Sequence, residues 1–144
     1  MRVTWGVVIV ALSMLAWGGQ TVVWFAPSLG VKLGLSEAES DVDPPYWADV
    51  RGEARWDVMT LWTLVVAGVL LIVDNAAWAY FGLVGGGMYV YFAGRGISTR
   101  IALRRGGFRV GNEASVKLGF IALAVWGVMG MVLIIAAAQS LEAS

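Results

Sequence analysis

The chain has 144 residues, of which 59% are hydrophobic and 14% charged, with ten basic side chains balanced by ten acidic ones. A soluble domain of this size is closer to half apolar and about a quarter charged, so the composition points to a bilayer as solvent. With neither Cys nor His, disulfides, thiolate nucleophiles, the usual haem ligands, Cys/His zinc sites and imidazole acid–base chemistry are all excluded.

A spanning helix needs roughly 20 mostly apolar residues to cross about 30 Å of hydrocarbon. The first such run covers about 5–25 (WGVVIVALSMLAWGGQTVVWF). Arg2 with the small residues Ala16 and Gly18 loosely fits a signal peptide, but the run continues through Val22, Val23, Trp24 and Phe25, beyond a signal core. It reads as a span.

Residues 26–55 form the longest segment between spans. APSLGVKLGL is apolar with one Lys and suits a short element on the membrane surface. SEAESDVDPPYW is acidic and broken by Pro44 and Pro45. Glu37, Glu39, Asp41 and Asp43 resemble an oxygen-rich loop but lack the central Gly and terminal Glu of a calcium motif. A solvated linker is expected here, and no metal or cofactor is expected anywhere.

In ADVRGEARWDV, charges of alternating sign precede the second span, about 56–73. On a helix, Arg51 and Arg55 share one face and Glu53 and Asp57 another. The plain reading is a ladder of charges marking the helix end, with the heads snorkelling to water. The sharper reading makes Arg51, Arg55, Asp57 and Arg95 a binding site for an anionic headgroup. Asp57 then faces either the bundle or the headgroups, and inside the bundle an ionised carboxylate needs a partner.

Asp74 and Asn75 alone separate the second span from the third, about 76–94, and both suit a tight helical hairpin. Gly82 and Gly86 form a GxxxG pattern for close helix packing, in the same chain or against a second copy. GLVGGGMYVY lacks the strand and the spacing of a dinucleotide loop. Arg95 is expected to end this helix between Gly94 and Gly96, complementing its dipole or reaching a ligand.

Arg100, Arg104, Arg105 and Arg109 follow among Ile97, Ile101, Leu103 and Phe108, a pattern that favours contact with an anionic membrane surface. Nucleic acid is not expected, because no nucleic-acid-binding motif accompanies the charges. The fourth span covers about 118–138.

The chain therefore reads as one domain, residues 1–144: an all-α, membrane-embedded four-helix bundle with short cytoplasmic interfacial segments. Nine Lys and Arg fall in the first and third loops and only Arg2 on the other side, which puts loops 26–55 and 95–117 in the cytoplasm and both termini outside. Trp5, Trp24, Trp56 and Trp78 lie near span ends, where indole rings favour the headgroup level. Trp17, Trp62 and Trp126 lie deeper and are expected to pack between helices.

FAPSLGVKLGL after the first span, Arg51 in VRGEARW before the second and AGRGIS with Arg95 after the third resemble the DUF4345-type small four-helix membrane proteins. The resemblance covers most of the chain and implies a fold, with no activity attached. EARWD stands where that pattern has an aromatic-Gly-Gly, and the first loop is long.

Three functions compete. A non-catalytic accessory or scaffold component would assemble through the Gly-rich third helix, with itself or with another membrane protein. A lipid or small-amphiphile carrier would use the Arg clamp. A membrane enzyme would have to rely on Glu53 or Asp57 without a nucleophile–base pair, and ranks last. Membrane lipids, anionic ones foremost, are the expected partners.

Overall fold

The computed structural model describes residues 2–143, which are helical apart from turns and short loops. Helix α1 runs Arg2–Phe25, the short α2 Pro27–Lys32, α3 Pro44–Thr60, α4 Trp62–Ile72, α5 Trp78–Arg105 and α6 Glu113–Glu142. Three stretches are long and apolar enough to cross a membrane: α1, α6 and the joined α3–α4 unit from Pro44 to Ile72. Helix α5 falls short of that hydropathy because Gly82, Gly85, Gly86, Gly87, Tyr80, Tyr89 and Tyr91 dilute its aliphatic content.

The principal helix contacts are α1 with α4, α4 with α5, and α5 with α6. Glycines set these distances. A Cβ on Gly85 would lie 2.8 Å from the Leu64 backbone nitrogen, and one on Gly86 2.8 Å from the Gly130 carbonyl. On α1, a Cβ on Gly6 would lie 2.9 Å from the Gly68 carbonyl of α4. Gly82 bears on Ala137 of α6, so the GxxxG face is occupied within the chain.

Three long polar side chains tie α1 to the rest. Tyr89 is wholly buried and donates its hydroxyl to the Ser13 carbonyl at 3.0 Å. Trp17 donates its ring N–H to the Val58 carbonyl at 3.0 Å, and Trp126 to Leu12 at 2.9 Å. Trp17 and Trp126 thus pack between helices as expected. Trp62 remains 40% exposed, against Phe81.

At one end, Asp74 adopts φ 55°, the left-handed turn conformation its short polar side chain tolerates. Asn75 Oδ1 accepts from the Ala77 amide at 2.9 Å. Arg2, at the start of α1, forms an exposed ion pair with Asp74 of this turn.

The other end differs from the sequence expectation. The acidic segment is not simply a solvated linker, because it docks onto the segment after α5. Val42, Tyr46, Val110 and Val116 form a second small core, supported by Trp47, Val50, Leu103 and Phe120. The Asp43 carboxylate accepts from the Arg109 amide at 2.8 Å and from Arg109 Nε at 3.0 Å, and the Asp43 amide donates to the Arg109 carbonyl. These bonds to its charged form, the backbone amide foremost, hold the Asp43 carboxyl below its ordinary value. Helix α3 begins at Pro44, a residue suited to the first helical turn, a dozen residues before the expected span start. Helix α5 continues past Arg95 to Arg105, so Arg95 is mid-helix and has no helix end to complement.

Close helix approach at Gly86 has a direct consequence. Gly86→Ala places a methyl group against the Gly130 carbonyl and is expected to destabilise the protein by about 1–3 kcal/mol, as overpacking does. Gly87→Ala, at a site with nothing within 4 Å, should leave the melting temperature in detergent unchanged or raise it. Thermal unfolding of the two variants checks this.

Candidate functional site

Helix α3 carries acids at a spacing of four: Asp49, Glu53 and Asp57 fall on one face, turned toward α5. From α5, Arg95 reaches into this row. Its guanidinium pairs with Asp49 through Nη2, approaches Asp49 Oδ2 at 3.4 Å through Nη1, and meets Glu53 Oε1 at 2.9 Å. Glu53 is 8% exposed and Asp57 only 2%. Asp57 therefore faces the bundle interior. Gly52, Glu53, Trp56, Asp57, Tyr91 and Arg95 enclose a pocket of about 170 Å³.

The opposite face of α3 has another role. Arg51 donates to the Val23 carbonyl and, at 3.2 Å, to that of Trp24, at the C-terminus of α1. Its guanidinium lies 5.0 Å from the Trp24 ring, and that of Arg55 lies 5.8 Å away. Such cation–π contacts are worth about 0.5–1 kcal/mol where exposed, and the bonds to Val23 and Trp24 satisfy carbonyls that α1 leaves open. The four residues read from sequence as one clamp are thus divided: Asp57 lies with Arg95, whereas Arg51 caps α1 and Arg55 lies beside the Trp24 ring. The i, i+4 reading of the two faces holds.

A larger cavity of about 270 Å³ opens between α1, the 34–37 turn, α3, α5 and α6. Its buried wall is apolar, with Ala16, Phe92 and Leu123 beside the partly buried Trp126, and the exposed Leu15 stands at its rim. Toward the docked loops its lining becomes polar, with Gln20, Ser36, Glu37, Tyr46, Arg100 and Ser115. Arg100 donates to the Gly96 carbonyl at 3.0 Å and lies 5.6 Å from the Tyr46 ring, leaving N–H donors of its five uncommitted. The Ser36 hydroxyl is buried without a hydrogen-bond partner. Glu53 borders both spaces.

The remaining basic residues are placed differently. Arg104, Arg105 and Arg109 are all exposed, with Arg104 paired to Glu113 at 2.8 Å and Arg109 to Asp43 at 3.0 Å. Asp49 was not singled out in the sequence, and the cavity residues Arg100, Glu53, Glu37 and Trp126 were singled out for other roles and not grouped. The spacing of Asp49 from Glu53 and Asp57 is visible there once the helix is known to begin at Pro44. The cavity has no linear signature. No family model, curated protein or solved structure matches this chain.

Arg95 offsets buried negative charge, so its loss is costly. Arg95→Ala is expected to destabilise the protein by about 3 kcal/mol, toward the low end for breaking a buried pair because the guanidinium keeps some solvent. Arg95→Lys keeps the charge but loses the two-armed geometry and should fall between. Adding Glu53→Gln to Arg95→Ala should recover part of the loss. Thermal unfolding of the three variants tests this order.

Proposed function

We propose that the chain is a multi-pass membrane protein that crosses the bilayer four times and holds an amphiphile in the cavity beside Arg100. Helix α5 supplies the crossing that hydropathy alone does not mark. It lies antiparallel to α4 across the short connection 73–77 and alongside α6, and both neighbours belong to stretches long enough to span. The excess of Lys and Arg in loops 26–55 and 95–117 supports a cytoplasmic placement for them, with both termini outside.

The observation that carries the binding reading is the graded lining of the 270 Å³ cavity. In the proposed orientation, Arg100, Tyr46 and Ser115 lie at the inner headgroup level, and Leu15 and Trp126 lie deeper among acyl chains. Ligand pockets run about 300–1,000 Å³, so this cavity suits a polar head with the first part of one chain. Arg100 takes the headgroup role that the sequence reading gave to Arg51, Arg55 and Arg95. Arg105, with Lys32 and Lys117, supports contact with anionic lipid at about 1 kcal/mol per residue.

A second reading, assembly as a scaffold with another copy or membrane protein, draws on the outer face of α5. With Gly82 and Gly86 packed against α6, this role passes to Val84, Gly87, Tyr91 and Gly94. All four are exposed, and both glycines have open space around them.

A Cβ at Gly119 would meet only Arg100 Nε, at 3.9 Å, so a larger side chain there enters the cavity. Native mass spectrometry after mild extraction should show a defined amphiphile adduct on the wild type. Gly119→Leu should lose it at unchanged melting temperature, and Arg100→Ala should weaken it. An adduct of equal occupancy in all three proteins would reject the cavity. A stoichiometric dimer carrying no adduct would favour the scaffold reading.

A further inference from the structure

The acid row of α3 is incompletely neutralised. Three carboxylates, Asp49, Glu53 and Asp57, face one guanidinium, and Arg95 commits its contacts to the first two. Glu53 Oε1 is in ionic contact with Arg95 but accepts no aligned hydrogen bond, and Asp57 Oδ2 is buried with no hydrogen-bond partner. Buried carboxylate oxygens left without donors are costly. The pocket therefore presents two buried carboxylate oxygens to which the N–H and O–H groups of Trp56 and Tyr91 at its edge do not donate.

Its walls limit what can supply them. The 170 Å³ space is bounded by Trp56 and Tyr91, whose rings are half exposed at its edge, and by Gly52, which adds no side chain. Aromatic faces attract cations, and two carboxylate oxygens call for a positive group that carries N–H donors. A metal ion fits poorly, because among the described residues no group of three carboxylates stands close enough to hold one.

We propose that this pocket is a binding site for a primary ammonium group, with Asp57 Oδ2 and Glu53 Oε1 accepting its N–H bonds and Trp56 and Tyr91 flanking the cation. The site is separate from the amphiphile cavity, with which it shares only Glu53, and stands independently of it. The ammonium belongs either to a small free amine or to an aminophospholipid headgroup that reaches the exposed edge formed by Trp56 and Tyr91, about two to three helical turns inward from Tyr46 and Arg100.

The test uses the full chain in phosphatidylcholine nanodiscs with radiolabelled ethylammonium as probe. If the source is a free amine, binding is saturable at one per chain, and tetramethylammonium, a cation without N–H, competes at least tenfold less well than unlabelled ethylammonium. Asp57→Asn, nearly the same shape, weakens binding at least tenfold while its melting temperature stays at or above the wild-type value. If the source is a lipid, replacing half of the phosphatidylcholine with phosphatidylethanolamine raises the wild-type melting temperature, and leaves that of Asp57→Asn unmoved. Competition by tetramethylammonium equal to that of ethylammonium overturns the proposal. So does the absence of both ethylammonium binding and the phosphatidylethanolamine shift. Persistence of ethylammonium binding in Gly119→Leu separates this site from the amphiphile cavity.

Discussion

The contact on which the loop end of the structure depends is the insertion of Arg95 into the acid row of α3. A guanidinium and three carboxylates brought together among apolar helices would be unstable singly, because each charge loses its hydration. Held as a group, they fix the rotation of α3: Asp49, Glu53 and Asp57 must face α5. Arg51 and Arg55 then fall on the opposite side, against Trp24 and the last carbonyls of α1. One helix rotation thus sets both the polar cluster and the cap on α1. It also places Glu53 on the boundary between the two cavities.

Backbone proximity complements this electrostatic constraint. Helices α4 and α6 approach α5 at Gly85 and Gly86, where a methyl group would already collide with backbone atoms. Such close approach of main chains adds dispersion contacts between the helices. Nearer the loop end, α1, α3, α5 and α6 enclose the space lined by Leu15, Phe92 and Trp126. The bundle is thus closely packed at one level and open at another.

Much of this was legible in the sequence. Apolar runs marked α1 and α6, Asp74–Asn75 marked the hairpin turn, and the i, i+4 charges of 51–57 assigned the two faces of α3. Helix limits were less legible. The start at Pro44 and the extension of α5 to Arg105 depend on docking of Val42 and Tyr46 against Val110 and Val116, contacts between segments far apart in the chain. Hydropathy marks where a helix leaves hydrocarbon, not where it stops. The clamp was misgrouped because Arg95 was expected at a helix end, where its partners would have been carbonyls rather than the acids of α3. The larger cavity arises from four helices at once and has no local pattern.

The proposed topology makes α5 a crossing helix, with the acid row and both docked loops on one side. Because the chain has no Cys, single cysteines introduced at Asn75, Ala114 and Ser140 can be probed in intact cells with a membrane-impermeant maleimide. The account predicts labelling of Asn75→Cys and Ser140→Cys from outside, and of Ala114→Cys only after the membrane is opened. Labelling of Asn75→Cys and Ala114→Cys from the same side would contradict it, because α5 would then not cross.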